Sequence, residues 1–385
     1  MANPSAPDPS KKTEAPACDE RGALGPLLID VGADELDGDD VRRISPPLVG
    51  GVILPARNYK DKGQLRRLCE SVKVIKRPSA LIFVEQEGRR LQNFRPGFCA
   101  LPSPWVYEVL AKRTGMKTAE DAAAATGRIM AWELISCGVD MSFSPTADVR
   151  RGGRIGDNFC SERSFGSSPQ TASRFVLAYG KGMRHAGMAR CARYFPGEGS
   201  VRSFSPGKPP RSDASRGVLR AIDRPAFKAL IDAGVESILM SDAIFTAVDP
   251  DNPARYSAKW IKEILRGELG FKGLTISSDL GLIGKTEDKT TLAERCVRAL
   301  EAGCEALVVR NDKAQLDAAL SDPRLAEAVE RCAPDVGDKL AALAARQQRW
   351  ASMRPQGVDS EIVRLLCAID SERVKAMSHL SAARR

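Results

Sequence analysis

The stretch Gly270–Leu280, with the sequence GFKGLTISSDL, decides the fold of this chain. Its centre, Leu274–Ile276, is a short apolar run that is closed by small polar residues and followed by a helical pattern. Such a run is typical of a buried parallel strand, which brings polar groups to its C-terminal end. In a (β/α)8 barrel, that end of the strands carries the chemistry.

The same alternation of short apolar runs with helical patterns starts at Leu24 and continues along most of the chain, which indicates βαβ repeats and a parallel sheet. Closing eight strands into a barrel removes both exposed edges of the sheet. The sequence therefore predicts an α/β fold, a single-domain (β/α)8 TIM-like barrel. The eight predicted strands are Leu27–Val31, Gly51–Leu54, Leu81–Val84, Met141–Ser144, Ala189–Phe195, Ser237–Met240, Leu274–Ser277 and Ala306–Val309.

Helical spacing of apolar residues predicts five helices between these strands, and Ser257 is placed to cap the fourth of them. These helices are Lys62–Val74, Ala119–Cys137, Gln170–Ala186, Ala258–Leu269 and Thr290–Ala302.

Three regions follow from this pattern. Residues 1–22 are rich in Pro, Ala, Ser and Lys and are predicted to be a disordered tail, and residues 23–352 form the barrel. Residues 353–385 are predicted to be a C-terminal helical extension, which packs on the barrel or binds a partner. Four apolar residues lie near one face of that helix: Ile362, Leu366, Ile369 and Met377.

The composition, with 43% hydrophobic, 5% aromatic and 28% charged residues, is ordinary for a soluble α/β protein. No run approaches the length of a membrane span, and the N-terminus lacks an apolar signal core, so we expect a cytoplasmic protein. The net charge of +9 is compatible with an anionic partner.

The ten cysteines are scattered singly without a CxxC pair, which favours buried reduced thiols over a zinc site or a disulfide framework. Only His185 and His379 are present, so a histidine-rich metal site is excluded. Glycine pairs lack the spacing of dinucleotide or phosphate loops. We therefore predict neither a metal nor a cofactor.

Several motifs, in order along the chain, resemble those of family 3 glycoside hydrolases, in particular the cytoplasmic NagZ-type β-N-acetylglucosaminidases of peptidoglycan recycling. The opening stretch resembles the family's nucleophile strand, Gly-Phe-x-Gly-x-x-x-Ser/Thr-Asp, and Val84–Gln92 resembles Val-Asp-Gln-Glu-Gly-Gly-Arg-Val-Gln. The resemblance covers roughly residues 24–311 and implies the barrel fold. Further similar segments are Gly25–Asp30, Leu48–Leu54, Ser142–Pro145, Glu162–Phe165, Phe195–Gly197 and Gly267–Phe271.

The resemblance implies that the catalytic positions have changed. Counted without a gap from Gly273, the family's nucleophilic Asp falls on Ser278. A retaining glycosidase needs a carboxylate there, and losing a covalent nucleophile costs on the order of 10⁴ to 10⁶ in rate. The family's proton donor, an Asp-His pair after the fifth strand, is matched by Phe204 and Pro206, so both of its members are missing.

The ligand-binding positions implied by the resemblance are partly kept. Glu85 stands where the family has an Asp that holds sugar hydroxyls, and Arg90 and Arg163 match arginines that contact the ligand. Arg193 and Tyr194 stand at the family's substrate-binding Lys and His. Arg89 replaces a glycine.

Our leading interpretation is a catalytically impaired pseudoenzyme that binds a muropeptide-like or other acidic small ligand, or a protein partner. Cations converging on the predicted mouth would favour an acidic ligand. Nucleic acid is not expected, since these cations lack interleaved aromatic residues. The cations are Arg89, Arg90, Arg150, Arg151, Arg154, Arg193, Arg202, Lys208 and Arg211.

Two alternatives stay open. One is a divergent, active β-N-acetylhexosaminidase that acts on peptidoglycan fragments, with Asp279 as a shifted nucleophile and Glu198 as the acid. It requires a one-residue shift of the strand, because neighbouring side chains point to opposite sides. Otherwise Glu198 is a solvated loop charge and Asp279 caps the following helix. The other alternative is a pure protein-interaction scaffold that works through the N-terminal tail, the basic mouth or the C-terminal helix.

Overall fold

The strands are short and almost completely buried in the computed structural model, which describes residues 24–151, 162–201, 209–281, 289–348, 362–369 and 371. Burial on both faces is what a parallel sheet covered by helices requires. The strands are β1 (Leu27–Asp30), β2 (Val49–Ile53), β3 (Leu81–Val84), β4 (Met141–Ser142), β5 (Cys191–Phe195), β6 (Arg211–Ser212), β7 (Ser237–Met240), β8 (Ile244–Phe245), β9 (Leu274–Ile276) and β10 (Leu307–Val309).

Eight of these strands pair in a closed ring. Five form a parallel sheet in the order β10-β1-β2-β3-β4, and three form another in the order β5-β7-β9. A bridge between Thr146 and Arg193 joins the chain after β4 to β5, and a bridge between Ile276 and Ala306 joins β9 to the start of β10. This is the strand order of a (β/α)8 barrel, as predicted. Strands β6 and β8 form a separate two-stranded sheet.

The eight predicted barrel strands are all present, and the bounds of β3 and β7 agree residue for residue. The prediction extends the fourth strand too far, since only Met141–Ser142 are extended. The physical reason lies in Ser144 and Pro145. The Ser144 N–H donates to Ser142 O instead of to β3, and Pro145 has no N–H to donate.

All five predicted helices are also present, and α2 has the predicted bounds. Ser257 caps the fourth, since its Oγ accepts from Trp260 N at 3.3 Å. That helix, Lys259–Glu268, is of the π type, as is Leu219–Asp223, which joins α6 to α7. The α-helices are α1 (Gly38–Ile44), α2 (Lys62–Val74), α3 (Val106–Thr114), α4 (Met116–Ile135), α5 (Pro169–His185), α6 (Arg216–Val218), α7 (Arg224–Asp232), α8 (Leu292–Ala302), α9 (Lys313–Leu320), α10 (Pro323–Cys332) and α11 (Val336–Gln348).

Several helices were not predicted although the sequence carries their start signals. The carboxylate of Asp37 caps α1, that of Asp312 caps α9 and that of Asp322 caps α10. In α10 a proline follows the cap directly, which is the preferred first helical residue. Helices α1 and α9 span only 7 and 8 residues, too few for an apolar period to stand out, while their caps remain readable.

The C-terminal extension is described over residues 362–369, which are helical. Val363 and Leu366 are buried, whereas Leu365 is 60% exposed, so one face of this helix packs on the protein. Ile362 and Ile369 are partly buried, and Met377 lies outside the described residues. Within the described ranges, no helix is long and apolar enough to cross a membrane.

Helices α4 and α5 approach each other so closely that glycine is required at their contact. A Cβ atom added to Gly182 would lie 1.9 Å from Ala124 O, and one added to Gly127 would lie 2.2 Å from Tyr179 O. Both contacts are with main-chain atoms, which cannot rotate away. Both helices would therefore have to separate to admit a methyl group.

We predict that Gly182→Ala lowers the free energy of unfolding by about 1–3 kcal/mol through overpacking. Gly180→Ala in the same helix is the matched control, because its added Cβ would meet only side chains, at 3.1 Å or more. We expect a smaller loss there. Urea unfolding of both variants measures the difference, and equal losses would contradict the proposed backbone contact.

Candidate functional site

Polar residues gather at the C-terminal ends of the barrel strands, a region that we call the mouth. Most of them are charged and nearly all are buried or half-buried. The mouth comprises Glu85 and Glu87 after β3, Thr146 and Asp148 after β4, Arg193, Tyr194 and Glu198 at the end of β5, Ser241 and Asp242 after β7, Ser278 and Asp279 after β9, and Arg310 after β10.

Arg193 lies at the centre of the mouth and has no exposed surface. Its Nη2 atom lies 3.3 Å from Glu87 Oε2, its Nε donates to Thr146 Oγ1 at 3.1 Å, and Nη1 lies 3.8 Å from Glu85 Oε2. Burial favours the neutral guanidine, but Tyr194 and the two glutamates outweigh it, so the pKa of Arg193 is raised. Arg193, which the resemblance places among the ligand-binding residues, is therefore a charged side chain that is buried in the protein.

A second arginine extends this chain of charges to β9. Arg310 Nη1 lies 3.4 Å from Glu85 Oε1, and Arg310 Nε donates to Asp279 Oδ2 at 3.0 Å. The other Asp279 oxygen, Oδ1, accepts from the backbone N–H groups of Gly281 and Arg310 at 2.9 and 3.1 Å. Asp279 thus caps its own turn, and both of its oxygens are engaged. Residues 282–288, which follow this turn, lie outside the described part.

Ser278 contacts residues on the β7 side of β9, opposite to the side that Asp279 contacts. Its Oγ donates to Asp242 Oδ1 and accepts from Arg255 Nη1 at 3.3 Å. Arg255 is 4% exposed and also forms an ion pair with Asp242, which follows β7. Ser278 therefore contacts the β7 side and Asp279 the β10 side.

A buried arginine also fixes the loop after β5. Arg163 Nε donates to Asp148 Oδ2 at 2.8 Å, and its Nη2 lies 2.5 Å from Glu198 Oε2. Ser241 Oγ donates to Glu198 Oε1 at 2.5 Å. The interpretation of Glu198 as a solvated loop charge is wrong, because this residue is 4% exposed and is paired. Burial raises the pKa of Asp148 to about 6 although Arg163 opposes it.

The remaining predicted ligand positions are more accessible. The Arg90 side chain is 74% exposed and pairs with Glu162 at 3.0 Å. Tyr194 is half-buried, and the Arg163 guanidinium lies 4.4 Å from its ring centroid. Arg89 has φ 42°, in the left-handed region that favours glycine, which is the family's residue here by the resemblance noted above. Phe204 and Pro206 lie outside the described residues.

The expected convergence of free cations is reduced by ion pairing. Arg150 pairs with Glu108, and Arg151 pairs with Asp223. Arg90 and Arg193 are paired as described above, whereas Arg211 is exposed. Arg154, Arg202 and Lys208 lie outside the described residues. An acidic ligand therefore gains less from the described mouth than the cation count predicts.

Several residues of the mouth network were not predicted from the sequence, among them Asp242, Arg255 and Arg310. Asp242 and Arg310 carried a usable signal, because each is a charged residue that directly follows, or nearly follows, a predicted strand. Arg255 carried none, since it lies in a short 3-10 helix, Ala254–Tyr256, far from any strand end in sequence.

Asp223 lies beneath the loop after β5, and burial raises its pKa to about 8 against the opposing Arg151. Its Oδ1 has no hydrogen-bond partner among the described residues. In the unfolded chain an aspartate titrates near 4, so between about pH 4 and 8 the folded state binds a proton that the unfolded state does not. Stability must fall as the pH rises through that window.

We predict that Asp223→Asn removes a slope of up to about 1.4 kcal/mol per pH unit from the free energy of unfolding between pH 5 and 8. Urea unfolding at four pH values measures this slope. The exposed Asp251 provides the control, since Asp251→Asn should leave the slope unchanged. A wild-type stability that rises over this window and is unaffected by Asp223→Asn would contradict the assignment.

Solved structures share this arrangement of strands and helices. NagZ from Neisseria gonorrhoeae, in complex with N-trifluoroacetyl-D-glucosamine, superposes with a TM-score of 0.79 and 29% sequence identity over 90% of this chain and 98% of that one. A glycoside hydrolase family 3 β-N-acetylglucosaminidase from Paenibacillus sp. str. FPU-7 gives 0.75 and 25% over 89% of this chain and 66% of that one.

Proteins of similar sequence agree with the structural comparison. A β-hexosaminidase from Alkalilimnicola ehrlichii is 36% identical over 88% of this chain and 98% of its own length, and one from Tolumonas auensis is 38% identical over 76% and 84%. Residues 28–334 match the family described as the glycosyl hydrolase family 3 N terminal domain. The chain that surrounds this mouth therefore belongs to glycoside hydrolase family 3.

Proposed function

We propose that this protein is a β-N-acetylglucosaminidase-like pseudoenzyme, a family 3 barrel that binds a ligand containing N-acetylglucosamine and has lost most or all of its hydrolytic activity. The observation that carries the proposal is the environment of Ser278. The position that the family fills with a carboxylate holds a neutral hydroxyl, and a buried guanidinium donates to it.

This environment opposes the reaction on electrostatic grounds. The transition state of glycoside hydrolysis carries positive charge at the anomeric carbon, and a carboxylate beneath it supplies both attraction and the covalent bond. Ser278 supplies no negative charge, and the Asp242 carboxylate beside it is paired with Arg255, whose Nη1 lies 3.3 Å from Ser278 Oγ. A hydroxyl next to this ion pair does not form the usual glycosyl-enzyme intermediate.

The candidate acid is also poorly arranged. Glu198 accepts hydrogen bonds from Arg163 through Oε2 and from Ser241 through Oε1, so both of its oxygens are engaged inside the protein. A general acid must lie within hydrogen-bond reach of the glycosidic oxygen. Glu198 is therefore better suited to fixing the loop after β5 than to protonating a glycosidic oxygen.

Asp279 is a weak substitute for the nucleophile. Its two oxygens accept hydrogen bonds from Arg310 and from the backbone of Gly281. A nucleophilic attack by Asp279 would require breaking these hydrogen bonds, which connect the chain after β9 to the end of β10. Its strand has no shift in register with β7, because Ser237, Ile238 and Leu239 pair in sequence with Leu274, Thr275 and Ile276. The one-residue shift that Asp279 would need is thus absent from this described ladder.

Ligand binding, by contrast, keeps suitable groups. The side chains of Glu85 and Arg90 are 26% and 74% exposed, and Tyr194 presents a half-buried ring. Carboxylates, guanidinium groups and aromatic rings are what a sugar with hydroxyl and amide groups can contact. The gonococcal NagZ structure holds an N-acylated glucosamine, which supports the same sugar class here, including muropeptide fragments.

We predict that the unmodified protein shows no measurable turnover of 4-methylumbelliferyl N-acetylglucosaminide, because the loss of a nucleophile costs on the order of 10⁴ to 10⁶ in rate. Ser278→Asp should raise turnover at least about tenfold, since this aryl leaving group departs without a general acid. Ser278→Asn is the matched control, as it has the same shape without the charge.

These variants also separate the alternatives. Clear turnover by the unmodified protein that disappears in Asp279→Asn would overturn the pseudoenzyme proposal in favour of a shifted nucleophile. Equal inactivity of Ser278→Asp and Ser278→Asn would show that the carboxylate at this position is not the missing element.

A thermal-shift titration with N-acetylglucosamine and muropeptides tests binding. We expect the ligand to raise the melting temperature of the unmodified protein and Arg90→Ala to abolish that rise, because Arg90 is an exposed cation on the loop after β3 at a position that the resemblance assigns to ligand contact. Arg113→Ala, on the exposed end of α3, should leave the rise intact. Arg163→Ala is unsuitable here, since it would leave two buried carboxylates unpaired.

One observation favours a second candidate function, a divergent active β-N-acetylhexosaminidase. The carboxylate of Asp242 contacts Ser278 Oγ from the neighbouring strand and its side chain is 39% exposed, so a carboxylate does lie beside the family's nucleophile position. Turnover by the unmodified protein that Asp242→Asn removes and Asp279→Asn leaves intact would support this candidate. If neither turnover nor ligand stabilisation is found, a protein-interaction role becomes the better hypothesis.

A further inference from the structure

Two cysteine thiols lie next to each other where the C-terminal helix meets the barrel. Cys367, in the helical residues 362–369, donates from Sγ to Ala100 O at 3.0 Å. Cys99, in the loop between β3 and α3, has its Sγ 3.6 Å from the same oxygen. The two sulfur atoms therefore cannot be farther apart than the sum of these distances, although 268 residues of sequence separate the cysteines.

Accessibility distinguishes this pair from most of the other described cysteines. Five of these are buried: Cys69, Cys137, Cys191, Cys296 and Cys304. Only Cys99, Cys332 and Cys367 in the described ranges are half-buried, and a solvent oxidant reaches such thiols first. Cys332, at the end of α10, serves as a single thiol of similar exposure.

The groups around Cys99 act on the pKa of its thiol in both directions, and the pKa is raised on balance. Burial and the nearby Glu133 raise the pKa of Cys99, while Arg364 and Lys62 act in the opposite direction. Arg364 lies on the same helix as Cys367, three residues before it. When this helix packs on the barrel, it therefore places both a cation, Arg364, and a second thiol, Cys367, near Cys99.

We propose that Cys99 and Cys367 are a redox-active thiol pair, which a peroxide converts to an intramolecular disulfide between the loop after β3 and the C-terminal helix. The Cys99 thiolate attacks one peroxide oxygen, and the O–O bond breaks to give a sulfenic acid and, after protonation, one water. The Cys367 thiol then attacks the sulfenic sulfur and displaces the second water. Two thiols and one hydrogen peroxide become one disulfide and two waters.

The bond would connect the helix to the mouth through the loop that carries Cys99. Gln92 Nε2 donates to Cys99 O at 2.8 Å, and Gln92 Oε1 accepts from Leu101 N at 2.9 Å. Leu101 O in turn accepts from the Arg89 N–H at 3.0 Å. A covalent tie at Cys99 therefore restrains the segment that includes Arg89 and Arg90, and it does so whether or not the mouth binds a sugar.

The experiment is peroxide treatment of the full chain followed by non-reducing peptide mapping by mass spectrometry. We expect a linked pair of peptides containing Cys99 and Cys367, two hydrogens lighter than the reduced peptides, which disappears on reduction. Cys99→Ser and Cys367→Ser should each abolish it, and Cys332→Ser should leave it unchanged. Hydrogen exchange in residues 362–369 should slow on oxidation in the unmodified protein and in Cys332→Ser, and should not change in Cys99→Ser or Cys367→Ser.

Two results would overturn the proposal. One is oxidation of Cys99 or Cys367 to the sulfinic acid without any linked peptide, which would show that the second thiol does not reach the first. The other is a linked peptide that forms only between two chains, recognised by a doubled mass on a non-reducing gel. Because Cys99→Ser and Cys367→Ser are conservative and half-buried, loss of folding is not expected to obscure the result.

Discussion

The guanidinium of Arg193 is fully buried at the centre of the barrel mouth. The positions of the surrounding strand ends depend on the groups that neutralise its charge. Arg193 takes Glu87 and Thr146 as partners and faces Glu85, so one side chain joins the ends of β3, β4 and β5. Removing an ion from water costs several kcal/mol unless partners surround it. The carboxylates of β3 are therefore structural partners of this cation.

From Glu85 the charges continue through Arg310 to Asp279, and a separate set ties Arg163 to Asp148 and Glu198. A hydrolase keeps its catalytic carboxylates available to substrate and proton. Here the buried carboxylates are engaged by arginines, which holds the strand ends of the mouth together. The same network thus accounts for a well-kept family frame, and it is one ground on which we propose that hydrolysis is impaired.

The sequence predicted the strands because their signal is local: each is a continuous apolar run of a few residues between polar segments. Helices such as α9 and α10 escaped because they are short, although their Asp caps were present. The charge pairs could not be predicted, since Arg193 and Glu87 are 106 positions apart and Arg310 and Glu85 are 225 apart. Only the closed ring of strands brings these charged residues together. The partners of Glu198, Arg163 and Ser241, are also distant in sequence, so the sequence alone did not show that Glu198 is buried.

That ring closes between β1 and β10, where Leu27 pairs with Leu307. During synthesis β1 can pair with β2 almost at once, but its other edge has no partner until the last barrel strand has left the ribosome. At about 5–20 residues per second this takes on the order of tens of seconds. An unpaired strand edge is a template for pairing with other chains. The nascent half-barrel is thus the form of this protein most exposed to aggregation, and the one for which a chaperone matters most.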